Sequence, residues 1–144
     1  HRRGAKNPVC AWLTVMSMTA FVAATATPSG SFRSWDSERT FSWSLDFSAL
    51  HSLSVGNGDL ANVVIATPVG FFCVAWFLGS RRVIWALLPF VLAIVVEIVQ
   101  LAIPPLGRSA FLLNDVALTW LGAGLGMAVG LAFWRARLTT GAAA

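Results

Sequence analysis

Apolar residues in this chain are gathered into long blocks, not spread in the short alternating or three-to-four-residue patterns of soluble domains. Crossing a hydrocarbon core of about 30 Å takes about 20 helical residues. Four blocks reach that length, at approximately Val9 to Thr27, Leu60 to Gly79, Val83 to Ile103 and Phe111 to Trp134. The pattern predicts an all-α polytopic membrane protein, a single domain over residues 1–144 with four transmembrane helices. Leu78-Gly79-Ser80-Arg81-Arg82 is too short for anything but a tight turn, so the second and third blocks form a helical hairpin. Pro104-Pro105-Leu106-Gly107 cannot continue a helix and turns the chain into the fourth.

Composition agrees: hydrophobic residues make up 57% and charged residues 11%, against roughly 25% charged in soluble domains. A net charge of +4 raises the question of a nucleic-acid partner, but the basic residues flank the apolar blocks, where membrane anchors belong. No nucleic-acid partner is expected. Placing the N-terminus in the cytoplasm puts Arg2, Arg3, Lys6, Arg81, Arg82, Arg135 and Arg137 on that side and leaves Arg33, Arg39 and Arg108 outside. That division satisfies the positive-inside rule, and Trp12, Trp76, Trp85 and Trp134 fall near the cytoplasmic ends as an aromatic belt should. Both termini are therefore expected inside. The chain begins at His1, so its natural start is expected upstream. Its opening stretch imitates a secretory signal, but the apolar part runs about 20 residues from Pro8, longer than a signal core, and reads as a retained span. Cys10 and Cys73 lie inside apolar blocks without metal-type spacing and read as reduced core residues. Neither a metal nor a cofactor is expected.

The outer loop, residues 28–58, contains "FSWSLDFSAL". Extended, it sets Phe41, Trp43, Leu45 and Phe47 on one side; helical, it groups Trp43, Phe47 and Leu50. Either form offers an aromatic face to the membrane surface or to a ligand beneath it. His51 follows as a lone loop histidine.

The polar interruptions are more informative. At 1.5 Å per helical residue, Glu97 lies about 9 Å from the outer end of its span, Asp115 about 6 Å and Thr119 about 12 Å. Gln100 shares the face of Glu97, and Thr119 that of Asp115. Asp59 and Asn62 enter the second span at the same level, with Arg108 and Asn114 in the turn beside them. These residues come from different helices but share one depth, so they are expected to form one site. Pro68 breaks the helical bonding of its span and frees the Val64 carbonyl, which Gln100, Asn62 or a water would satisfy. Charge at this depth costs free energy, so something compensates: Arg108 shared between Glu97 and Asp115, or one carboxylate holding its proton. The residues fit either a ligand-facing site or a polar clasp between helices. Gly122, Gly126 and Gly130 recur every four residues and read as a surface for packing against another span.

Taken in order, "NVVIATPVGFF" (Asn62 to Phe72), "EIVQ" (Glu97 to Gln100), "GRS", "ND" and "LGAGLG" resemble the VanZ-like family over about residues 59–132. Two departures stand out. Thr119 occupies a position where the family usually has asparagine. The Arg108-to-Asp115 spacing is one residue longer than usual, with Phe111 where an acidic residue is common. The resemblance implies a small integral protein of the bacterial cell envelope and plasma membrane, linked to resistance to teicoplanin, a glycopeptide antibiotic with a fatty acyl chain. Three functions are compatible with the residues. The chain could bind a lipoglycopeptide or polyprenyl-linked wall precursor at Asp59, Asn62, Glu97, Gln100, Arg108, Asn114, Asp115 and Thr119. It could be a membrane enzyme with Glu97 or Asp115 as acid or base, or an accessory subunit of a membrane complex. Its oligomeric state is open.

Overall fold

The computed structural model describes residues 8–26, 38–45, 58–103 and 110–140. They form α1 (Pro8–Ala26), β1 (Thr40–Ser42), α2 (Gly58–Ser80), α3 (Ile84–Ala102), β2 (Ala110–Leu112) and α4 (Leu113–Thr140). Leu60–Leu78, Ile84–Ala102 and Leu113–Ala136 are long and apolar enough to cross a membrane, and α1 contributes a shorter apolar stretch, Ala11–Thr25. Their outward faces carry exposed aliphatic residues, such as Leu87, Val91, Ile94, Val95 and Ile98 on α3, as expected where lipid is the solvent. This is a helical, multi-pass membrane protein.

The tightest pairing is between α2 and α4, and glycine makes it possible. A Cβ on Gly122 would collide with the Val63 carbonyl oxygen, one on Gly126 with that of Thr67, and one on Gly70 with that of Ala123. At Gly130 it would lie 3.0 Å from the Phe71 carbonyl oxygen. The partners climb together, 63, 67 and 71 against 122, 126 and 130, so the two helices run parallel. The backbones thus meet without intervening side chains, as small-residue stripes allow in lipid. The expected glycine stripe is an internal packing face, and Gly70 is its counterpart on α2.

Helix α1 runs antiparallel to α2. Near one end the Trp76 indole Nε1 donates to Thr14 Oγ1 at 3.0 Å; near the other, Gln100 on α3 donates to the Thr25 carbonyl. Between these tethers Phe21 packs into a core with Ala66, Val69 and Cys73, flanked by Met18, Ile65, Leu88, Leu92 and Val96. Cys73 is a free, buried thiol; the side chain of Cys10 lies outside the described part of the molecule.

The α2–α3 hairpin closes as the spacing predicts. Arg81 adopts φ 58° and its N–H donates to the Phe77 carbonyl at 2.7 Å, a left-handed residue capping the helix C-terminus. The hairpin end also carries the stacked Trp76 and Trp85 rings, 5.1 Å between centroids.

Three expectations need correction. Pro68 does not break its helix: α2 continues from Gly58 to Ser80, so proline removes one hydrogen bond without ending the element. Pro68 and Val64 are exposed, so the Val64 carbonyl is not part of an inward polar surface, and the Gln100 donor goes to Thr25 instead. The fourth helix begins at Leu113 rather than Phe111, because Ala110–Leu112 is extended and pairs in parallel with Thr40–Ser42. Phe111 is the middle residue of that ladder, opposite Phe41. The loop is therefore extended at β1, with Phe41, Trp43 and Leu45 exposed; Phe47, Leu50 and His51 lie outside the described residues.

Candidate functional site

On α3 the buried positions are Pro89, Ala93, Glu97 and Gln100, spaced four, four and three, which is one helix face. On α4 the buried positions Asp115, Thr119, Gly122, Gly126 and Gly130 form another such stripe, and on α2 Asn62 leads into Ala66, Val69 and Cys73. Each inward face is polar at one end of the bundle and apolar or glycine-lined for the rest. Glu97, Gln100, Asp115 and Thr119 are all at most 5% exposed, and Asn62 is 9% exposed.

Four of these residues meet around one cavity of about 90 Å³. Asn62, Glu97, Gln100 and Thr119 line it, with Thr25 and Phe21 from α1. All four helices contribute to its wall. A single water centre needs roughly 10–15 Å³, so the space would hold several waters or one small chemical group. It would not enclose a sugar or a peptide.

Two hydrogen bonds orient the polar wall. The Leu112 N–H donates to Glu97 Oε2 at 3.1 Å. Leu112 immediately precedes α4, whose first N–H groups have no partners within the helix. The Glu97 carboxylate is therefore held at the positive end of the α4 dipole. Asp115, in the first turn of α4, occupies the same favourable end. The start of α4 thus offers Glu97 one main-chain donor and places both buried carboxylates in a favourable field. The second bond runs from Gln100 Nε2 to the Thr25 carbonyl oxygen at 2.5 Å. Thr25 is in the last turn of α1, where carbonyls lack helical donors.

The remaining expected site residues are placed differently. Asp115 is buried nearby but does not line the cavity, and Asn114 is half-buried at the start of α4. Asp59 falls in the first turn of α2, with its side chain outside the described part of the molecule. Arg108 lies outside the described residues. Sequence reasoning misses α1 as a contributor: Phe21, Ala24 and Thr25 form one wall. No side-chain signal marks a backbone acceptor such as the Thr25 carbonyl. Its position near the end of an apolar run is the one hint of it.

One family model, described as VanZ/LLP1, matches residues 9–134, a span that takes in every residue lining the cavity. No curated protein and no solved structure gives a significant match.

Proposed function

This chain belongs to the VanZ-like family, and from that premise we propose that it binds the polar end of a lipidic or lipid-linked molecule at the outer ends of its helices. In this reading it spans the bacterial plasma membrane four times, with both termini in the cytoplasm. The carrying observation is the cavity itself. Buried polar groups from α2, α3 and α4 face it together with the last turn of α1, a costly arrangement to keep in an apolar bundle.

The cavity volume restricts what enters. About 90 Å³ suits a terminal group of a few heavy atoms, while the bulk of an acylated glycopeptide or a polyprenyl-linked wall precursor would stay outside. A separate apolar groove of about 410 Å³, lined by Met18, Thr19, Val22, Ala23, Leu88 and Leu92 between α1 and α3, is suited to a hydrocarbon chain. The exposed Phe41, Trp43 and Leu45 beside β1 would rest at the membrane interface, where aromatic side chains are favoured.

The test is susceptibility of a sensitive Gram-positive host to teicoplanin and to vancomycin, which lacks the acyl chain. The host would express wild type, Gln100→Leu or Arg108→Ala at matched membrane levels. Selective protection against teicoplanin, lost in either variant, supports the reading. No protection from correctly inserted wild type removes lipoglycopeptides as the ligand.

The bond from Leu112 to Glu97 favours a second role for one residue: Glu97 as a clasp joining α3 to the start of α4. Glu97→Gln keeps an acceptor for that bond. A clasp would tolerate it, whereas acid–base chemistry at Glu97 would be abolished.

A further inference from the structure

One acceptor in the polar wall of the cavity has no donor. It belongs to Gln100. Its Nε2 donates to the Thr25 carbonyl, and a carbonyl oxygen can only accept, so the amide must present its nitrogen there and its oxygen elsewhere. Oε1 is buried and has no hydrogen-bond partner. Gln100 is 3% exposed and forms part of the cavity wall. Buried side-chain oxygens are nearly always paired, and the group that completes this one must be a donor.

The rest of the wall sharpens the chemistry. Ala61, Ile65, Ala93 and Val96 offer no polar side chain. Asn62 and Thr119 each bring a donor as well as acceptors, while Glu97, as a carboxylate, adds only acceptors. No lysine or arginine lines the cavity among the described residues. An ionised phosphate or carboxylate head brings no donor for Gln100 Oε1 and would sit beside the Glu97 carboxylate. A hydroxyl or ammonium head would complete Gln100, and an ammonium would also be attracted by the Glu97 carboxylate in a medium of low dielectric.

We propose that the cavity favours donors: it takes a small hydroxyl- or ammonium-bearing head group, with an N–H or O–H on Gln100 Oε1, in preference to an anionic head. This rests on the binding function proposed above and narrows its ligand class.

The test is native mass spectrometry of the full chain released from detergent micelles. It would be titrated separately with dodecylamine, 1-dodecanoylglycerol and dodecyl phosphate, which share one chain length and differ in the head, and with free ethanolamine. Wild type is expected to bind the amine or the glycerol ester about tenfold more tightly than the phosphate, the difference expected from one buried hydrogen bond. Gln100→Leu should bring the glycerol ester level with the phosphate and weaken binding of the amine, which keeps its attraction to Glu97. Ala61→Leu, which fills the cavity without altering Gln100, should do the same, and elution as a single species checks that each variant folds. Equal or tighter binding of dodecyl phosphate by wild type overturns donor selectivity and leaves lipid binding standing. So does a preference for the glycerol ester over the phosphate that survives both substitutions. Saturable binding of free ethanolamine as tight as that of dodecylamine supports the donor site while removing the lipid as its source. No saturable binding of any probe overturns both.

Discussion

Substituting Glu97 in two ways separates its hydrogen bond from its charge. Glu97→Leu leaves the Leu112 N–H, which now donates to Oε2 at 3.1 Å, without its acceptor. The expected loss is about 1–3 kcal/mol, the cost of stranding a buried polar group. Glu97→Gln keeps an oxygen in place and forfeits only the charge-assisted part, so its loss should be about 1 kcal/mol. Unfolding in mixed micelles titrated with dodecyl sulfate measures both. Equal losses would mean that the bond to Leu112 contributes little. At this scale the sequence is informative through contrast: Asn62, Glu97, Gln100 and Thr119 stand out from apolar neighbours, and all four line the cavity. Counting depth from the ends of the apolar runs is enough to set them at one level of the bundle. The partner of each is not legible in the same way. Gln100 bonds a main-chain carbonyl 75 positions away, and a main-chain carbonyl has no letter in the sequence.

Among the elements, α2 and α4 offer the cleanest contrast, because two glycines of one helix have opposite surroundings. A Cβ at Gly126 would run into the Thr67 carbonyl, whereas at Gly124 it would meet nothing within 4 Å. Gly126→Ala should therefore destabilise the bundle by about 1–3 kcal/mol, as overpacking does. Gly124→Ala should stabilise it by roughly 0.5–1 kcal/mol through the better helix propensity of alanine. Thermal unfolding of the two variants in one detergent reads the sign directly, and equal effects would refute the close approach. Arg81 belongs to the same class of local backbone constraint: at φ 58° a side chain costs about 1 kcal/mol that glycine avoids. Arg81→Gly is accordingly expected to raise stability slightly. The glycine stripe is legible because its period of four is a helical signal. The β1–β2 ladder is not, since two three-residue strands from separate loops are too short for a period to declare itself, and parallel pairing between segments so far apart in the chain leaves no local trace. The ladder takes up Ala110–Leu112, which is why α4 starts later than the apolar pattern suggests.

For the molecule as a whole, the decisive question is whether α1, with the shortest apolar stretch, crosses the bilayer with the other three. Its two tethers bear on this. Thr14 is joined to Trp76 near the α3-proximal end of α2, and Thr25 to Gln100 near the far end of α3. The helix between Thr14 and Thr25 is about 16 Å long at the α-helical rise, so α1 lies along the bundle and not flat across one end. Parallel α2 and α4, with α1 and α3 opposed to them, give an up-down-up-down order that places β1 and β2 on one side and the Arg81–Arg82 turn on the other. The topology proposed from the positive-inside rule has that turn in the cytoplasm. In a Cys10→Ser, Cys73→Ala background, Trp43→Cys should react with a membrane-impermeant maleimide on intact cells. Arg82→Cys should react only after lysis. Epitope tags at both termini should be hidden until the cells are opened. An N-terminal tag exposed while the C-terminal tag is hidden would mean that α1 fails to cross. The cavity would then lose the wall built by Phe21, Ala24 and Thr25 within the bilayer, and with it the acceptor that holds Gln100 in register. Four crossings and the proposed binding site therefore stand together, and this labelling experiment tests the first without assuming the second.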